Sequence, residues 1–127
     1  MPPFKSFPKP STRLSRAIAK KDARLLDAKQ LRTWAAAVKL RDGWKDRRTG
    51  VRLLRTLSLD PLRAEAHHVV SRSDPAVRYD VRNGITLSLE THDQVERGRY
   101  RIEGTAWFRI GGVSYIDASA PVTFVRG

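Results

Sequence analysis

Apolar residues recur at helical spacing through the first third of the chain and at strand spacing through the last, and this change of period lays out the elements. Leu14 and Ile18 lie one turn apart, and Leu31, Trp34, Ala35 and Val38 continue as a stripe at helical spacing. Together they predict a helical region from about Arg13 to Arg41. Lys29, Arg32 and Lys39 fall off that stripe. Periodicity alone allows one long helix or two broken near Lys21-Asp22. The stop belongs at Asp42-Gly43, because glycine adopts the left-handed conformation that closes a helix. Ahead of the helix, four prolines in the first ten residues exclude helix and predict an extended, poorly ordered arm over residues 1–12, carrying Lys5 and Lys9.

From Trp44 to Pro61 the pattern reads as a compact turn and strand region, with Asp46, Arg47, Arg48, Thr49 and Gly50 making the turn and Val51 to Leu57 running apolar and basic. Residues 65–98 then read as a short apolar strand, a polar loop, a second strand opened by Asn83 and Gly84, and a short helix. Past Tyr100 the residues alternate like strands. The Gly111-Gly112 pair between Trp107-Phe108-Arg109-Ile110 and Val113-Ser114-Tyr115-Ile116 signals a hairpin in a small terminal sheet. Trp34, Trp44 and Trp107 are read as packing residues. The expected class is α+β, with residues 13–127 as a single domain.

Charge changes this picture. The chain has 25 Lys and Arg against 13 Asp and Glu, for a net charge of +12, which points to a polyanionic partner. Residues 1–64 hold 17 basic and 5 acidic side chains, whereas residues 65–127 hold 8 of each, so the first half carries the whole excess. A division of labour follows as an expectation, with phosphate attraction in the first half and chemistry in the second. The plainer reading of the basic half is a solvated helical face. With no cysteine there is neither a disulfide nor a thiolate metal site. No apolar run approaches the roughly 20 residues of a membrane span, and the first residues lack the apolar core of a signal peptide, so a soluble cytoplasmic protein is expected.

The candidate chemistry is concentrated. All three histidines fall between residues 67 and 92, as a His67-His68 pair and a single His92, with Asn83 between them. On a strand, successive side chains point to opposite faces, so His67 can join His92 on one metal ion while His68 points the other way.

With 15 residues from His68 to Asn83 and 9 from Asn83 to His92, the stretch HHVVSRSDPAVRYDVRNGITLSLETH resembles the HNH endonucleases, over about Trp34 to Gly98. The spacing is similar to that of the nuclease colicins and of many small phage and bacterial HNH proteins. The resemblance implies a ββα-metal unit at about residues 65–98 that hydrolyses DNA phosphodiester bonds with one divalent ion (Mg, Mn, Ni, Co or Zn), leaving a 5′-phosphate and a 3′-hydroxyl. It implies His68 as general base, since an imidazole takes a proton from water at neutral pH. His67 and His92 become metal ligands, joined by Glu96 one helical turn further on. Asn83 is expected to hold the two strands together and to fix the ring of His68 through its carbonyl oxygen. Arg78 and Arg82 become phosphate ligands, with Lys29, Arg32 and Lys39 adding affinity for DNA. Against these roles stand a solvated loop for the two arginines and an ordinary exposed helix position for Glu96.

The chain departs from relatives that carry a zinc knuckle: the places for four cysteines hold Asp46, Thr49, Ser88 and Thr91, so no structural zinc is expected. Local hydrogen bonds are expected instead, with Thr91 as helix N-cap in a capping box completed by Gln94, and Asp46 opening a turn. Two rival readings remain: a catalytically silent basic nucleic-acid-binding protein, and an RNA-directed or structure-selective nuclease on the same site. Oligomeric state is left open by these patterns.

Overall fold

A computed structural model gives the structure of residues 12–127, so the predicted proline-rich arm, but for Thr12, lies outside the described residues. The fold is α+β, in the order α1 (Arg13–Arg41), β1 (Ala64–His68), a 3₁₀ turn (Val81–Asn83), β2 (Gly84–Ser88), α2 (Leu89–Glu96), β3 (Tyr100–Gly104), β4 (Trp107–Ile110), β5 (Val113–Ile116) and β6 (Val122–Arg126). Among the described residues no helix is long and apolar enough to cross a membrane.

The chain divides into two compact units, residues 1–30 and 31–127, with the boundary inside α1. The side chains explain this. Every residue from Thr12 to Leu26 is exposed, Leu14 (72%) and Ile18 (53%) among them although they sit at helical spacing. Thr12 caps the helix, its Oγ1 accepting from the Ser15 N–H at 3.0 Å, and α1 then runs unbroken to Arg41.

In residues 31–127 the predicted stripe divides. Trp34 and Val38 are buried, while Leu31 and Ala35 are half-buried. The helix closes at Gly43 (φ +64°) as expected, and Trp44 follows it in the left-handed region (φ +57°). Lys39 and Arg55 both lie over the Trp44 ring, at 5.6 and 4.2 Å from its centre. Residues 51–57 form no strand. Only isolated bridges link Lys45 with Arg52 and Leu54 with Arg63, because Leu53 alone turns into the core and no partner strand continues alongside.

β1 and β2 pair antiparallel with Ala64 opposite Ser88 and His68 opposite Gly84. All five residues of β2 are buried, and both faces of the strand are used. Ile85 and Leu87 pack with Ala118 and with Val95, Ile102 and Phe124. The other face meets α1: a Cβ at Gly84 would lie 2.3 Å from Val38 Cγ2 and 2.7 Å from Trp34 Cζ2, and the Thr86 hydroxyl donates to the Val38 carbonyl at 3.3 Å. Only glycine allows the helix this close. The terminal strands form two ribbons, β3 with β6 and β4 with β5, the second turning at Gly111-Gly112. Alternation there puts Phe108 and Tyr115 inside and leaves Trp107 60% exposed, contrary to its expected packing role.

Asp46, Thr49, Ser88 and Thr91 are tied together by hydrogen bonds centred on Asp46, which is 2% exposed. Its Oδ1 accepts from the N–H groups of Arg48 (2.7 Å) and Thr49 (3.3 Å), opening the expected turn. Its Oδ2 accepts from Thr91 Oγ1 (2.7 Å) and from the Ser88 N–H (3.1 Å). The N-cap of α2 is Ser88 and not Thr91: Ser88 keeps the extended backbone of β2 (φ −65°, ψ 158°) and its Oγ accepts from the Thr91 N–H at 3.0 Å. The Thr91 hydroxyl is already engaged by Asp46, a distant partner that the local pattern Thr91-His92-Asp93-Gln94 does not reveal. Burial pushes the Asp46 carboxyl up, but its hydrogen bonds, that from Thr91 first, outweigh this and hold it below the ordinary value.

Candidate active site

The pleat of β1 sends its two histidines to opposite faces. His67 turns toward α2, where its ring stands 5.1 Å from that of His92, inclined by 64°. Glu96, one helical turn after His92, places Oε1 3.1 Å from His92 Nε2 and 3.5 Å from His67 Nδ1. One donor atom from each of His67, His92 and Glu96 lies within 4.8 Å of the others. Two imidazole nitrogens and a carboxylate oxygen converging at this distance fit one divalent ion bonded at about 2.0–2.2 Å, with coordination positions to spare. Burial, and next the neighbouring His92, push the His67 pKa down to about 4, so the ring is neutral near pH 7, as a ligand must be.

His68 turns to the α1 side. Its imidazole stacks on the Trp34 indole with ring centres 3.8 Å apart and planes 10° apart. Its Nε2 is 2.9 Å from the backbone carbonyl of Arg78. A carbonyl only accepts, so Nε2 carries the proton in the neutral ring, and Nδ1 keeps a lone pair with no hydrogen-bond partner among the described residues. The pKa of His68 is lowered, by burial first and by the nearby Arg78 and Arg72 charges, against the opposing pull of the Arg78 carbonyl.

Asn83 is fully buried but does not bond His68. Its Nδ2 donates to the carbonyls of Val70 (2.9 Å) and Val77 (3.3 Å), its Oδ1 accepts from the Val70 N–H (2.8 Å), and its own carbonyl accepts from the Val69 N–H (2.9 Å). It therefore clamps both ends of the loop between β1 and the 3₁₀ turn. The ring-fixing role expected of it belongs to the Arg78 carbonyl, one residue beyond the Val77 that Asn83 holds.

Between these groups lies a cleft of about 590 Å³, walled by Leu31, Trp34 and Ala35 on one side and by the histidines, Glu96 and Arg72 on the others. Arg72 is exposed, and its guanidinium has no hydrogen-bond or carboxylate partner among the described residues. Of the predicted phosphate ligands, Arg78 stands near His68, on which its charge acts. Arg78 donates from Nη1 to the Arg72 carbonyl at 2.7 Å and lies 5.7 Å over the Tyr79 ring. Arg82 is paired with Asp80 at 2.8 Å and lies 3.9 Å over the Phe108 ring. Lys29 and Arg32 are exposed on α1, and Lys39 covers Trp44. Sequence reasoning missed Arg72 because it sits in an aperiodic Ser-Arg-Ser stretch. It assigned Trp34 to the core, and no local signal links that residue to a histidine 34 positions later.

No family model, curated protein or solved structure matches this chain.

Proposed function

We propose that the chain is a metal-dependent endonuclease of the HNH type that hydrolyses phosphodiester bonds in DNA. The observation that carries this reading is one cleft holding a His67-His92-Glu96 donor set on one face of β1 and, on the other, an imidazole with its free nitrogen already specified. His67, His92 and Glu96 would hold the ion. When bound, a divalent ion supplies Lewis-acid stabilisation of the charge that develops on the phosphate and on the leaving 3′-oxygen. His68 Nδ1 takes a proton from a water molecule as its oxygen attacks phosphorus. The bond from phosphorus to the 3′-oxygen breaks, its electron pair leaving with that oxygen, which is then protonated from solvent. Arg72, which lines the cleft, joins Arg78 and Arg82 as a candidate to neutralise the phosphate. The net charge of +12 draws the polyanion to the protein.

The test is nicking of supercoiled plasmid with Mn²⁺ or Mg²⁺, with and without EDTA, alongside single-stranded RNA. Ion-dependent conversion to nicked or linear DNA, abolished by EDTA, is expected. Binding without cleavage under every ion would turn the reading to a silent binding protein, and cleavage of RNA alone would reassign the substrate.

A further inference from the structure

Trp34 is 5% exposed, as a core tryptophan would be, yet its indole lies against the imidazole of His68. Its surroundings fix that indole in place. Its Nε1–H donates to the Asp80 carbonyl at 2.9 Å. Gly84, the residue paired with His68 across the hairpin, offers no Cβ and so leaves room for the ring edge. Val38, one turn along α1, is fully buried against the same glycine.

We propose that Trp34 is the positioning residue of His68, an indole plate that sets the plane of the imidazole while the Arg78 carbonyl sets its rotation within that plane. The proposal rests on the reading of His68 as the group that takes the proton. A hydrogen bond to one nitrogen still lets a ring swing about the bond axis, and a flat neighbour 3.8 Å away and nearly parallel stops that swing. Misplacing a reacting nitrogen by about 1 Å can cost on the order of 100-fold in rate, so a side chain that never touches substrate can govern turnover. Tryptophan suits the task because its N–H reaches the Asp80 carbonyl while its face remains available. Phenylalanine would keep the face and lose the tether, and leucine would lose both.

The test compares wild type, Trp34→Phe and Trp34→Leu below the melting temperature of each, with folded fraction checked by circular dichroism. Both variants leave the Asp80 carbonyl without its donor, so the difference between them isolates the ring face. In wild type, the ring protons of His68 should resonate upfield of those of His67 and His92, because they sit over an aromatic face. Trp34→Phe should keep much of that displacement and Trp34→Leu should lose it. In plasmid nicking, Trp34→Leu should lower kcat by roughly 10- to 100-fold with KM within about twofold, and Trp34→Phe should recover most of the loss. Equal turnover in the two variants at equal folded fraction would overturn the proposal, as would a wild-type His68 signal with no upfield displacement. If wild type cuts no substrate, the nuclease reading fails on its own, and the resonance comparison still decides whether Trp34 orients the ring.

Discussion

His68→Ala and His92→Ala remove different things from the same cleft. On the proposed reading His68→Ala takes away the nitrogen that accepts the water proton, so cleavage should fall at least about 100-fold. Metal and DNA binding should hold, since neither the donor set nor the charged surface changes; near-normal nicking would discard His68 as base. His92→Ala removes one of two imidazole donors and should weaken Mn²⁺ binding at least about tenfold in a calorimetric titration. Equal affinity in the two proteins would strike His92 from the ligands. Two nitrogens also favour Mn²⁺, Co²⁺, Ni²⁺ and Zn²⁺ over Mg²⁺, which prefers oxygen, so transition ions should act at lower concentration. At this scale the imidazole placements were readable, because strand alternation separates His67 from His68 and helical spacing joins His92 to Glu96. The Arg78 carbonyl was not readable. A backbone atom carries no side-chain signature, and the loop that presents it is shaped by Asn83 at its far end.

Among the elements, the junction at Asp46 invites the strongest test. Asp46→Ala would leave the Ser88 and Thr91 donors buried without an acceptor, at a cost of roughly 3 kcal/mol or more. Asp46→Asn keeps the shape and should cost less. Because the folded-state pKa of Asp46 lies below its unfolded value, its contribution is complete above about pH 4 and is lost as pH falls through the folded value. Asp42 behaves in the same way: burial raises its pKa, but Arg41, the Thr86 N–H and Arg47 hold it down. Melting temperature should therefore drop steeply on the acid side in wild type and less steeply in Asp46→Asn; superimposable curves would remove Asp46 from the acid transition. Gly84→Ala should lower the melting temperature too, since its Cβ would meet Val38 and Trp34. The element order from β1 to α2 was legible in the apolar pattern and the Asn-Gly boundary. The cap of α2 was not, because Ser88 and Thr91 both suit that place and only the distant Asp46 decides between them.

For the molecule as a whole, charge is the quantity most directly read from sequence, and the exposed start of α1 sharpens its use. Removing Met1 to Lys21 deletes Lys5, Lys9, Arg13, Arg16, Lys20 and Lys21 and no acidic side chain. If these residues neutralise phosphates, DNA affinity should fall and its log-log dependence on salt should flatten by about 0.9 for each phosphate that is no longer neutralised. The rate at saturating DNA should change little, and so should the melting temperature, because residues 12–21 bury no side chain. An unaltered slope with a lost rate would refute the division between a gripping half and a cutting half. The apolar spacing of Leu14 and Ile18 correctly marked helix, but periodicity reports only which face could be covered, and both residues are exposed.

The hydrogen bonds converging on Asp46 have a practical meaning. The turn after α1, the end of β2 and the start of α2 are fastened by atoms the chain itself supplies. An ion held by His67, His92 and Glu96 could leave without loosening that joint. If the proposed metal-dependent activity holds, a chelator should disarm the protein and added metal should rearm it with no refolding in between, so a stripped sample would be dormant stock rather than spoiled material.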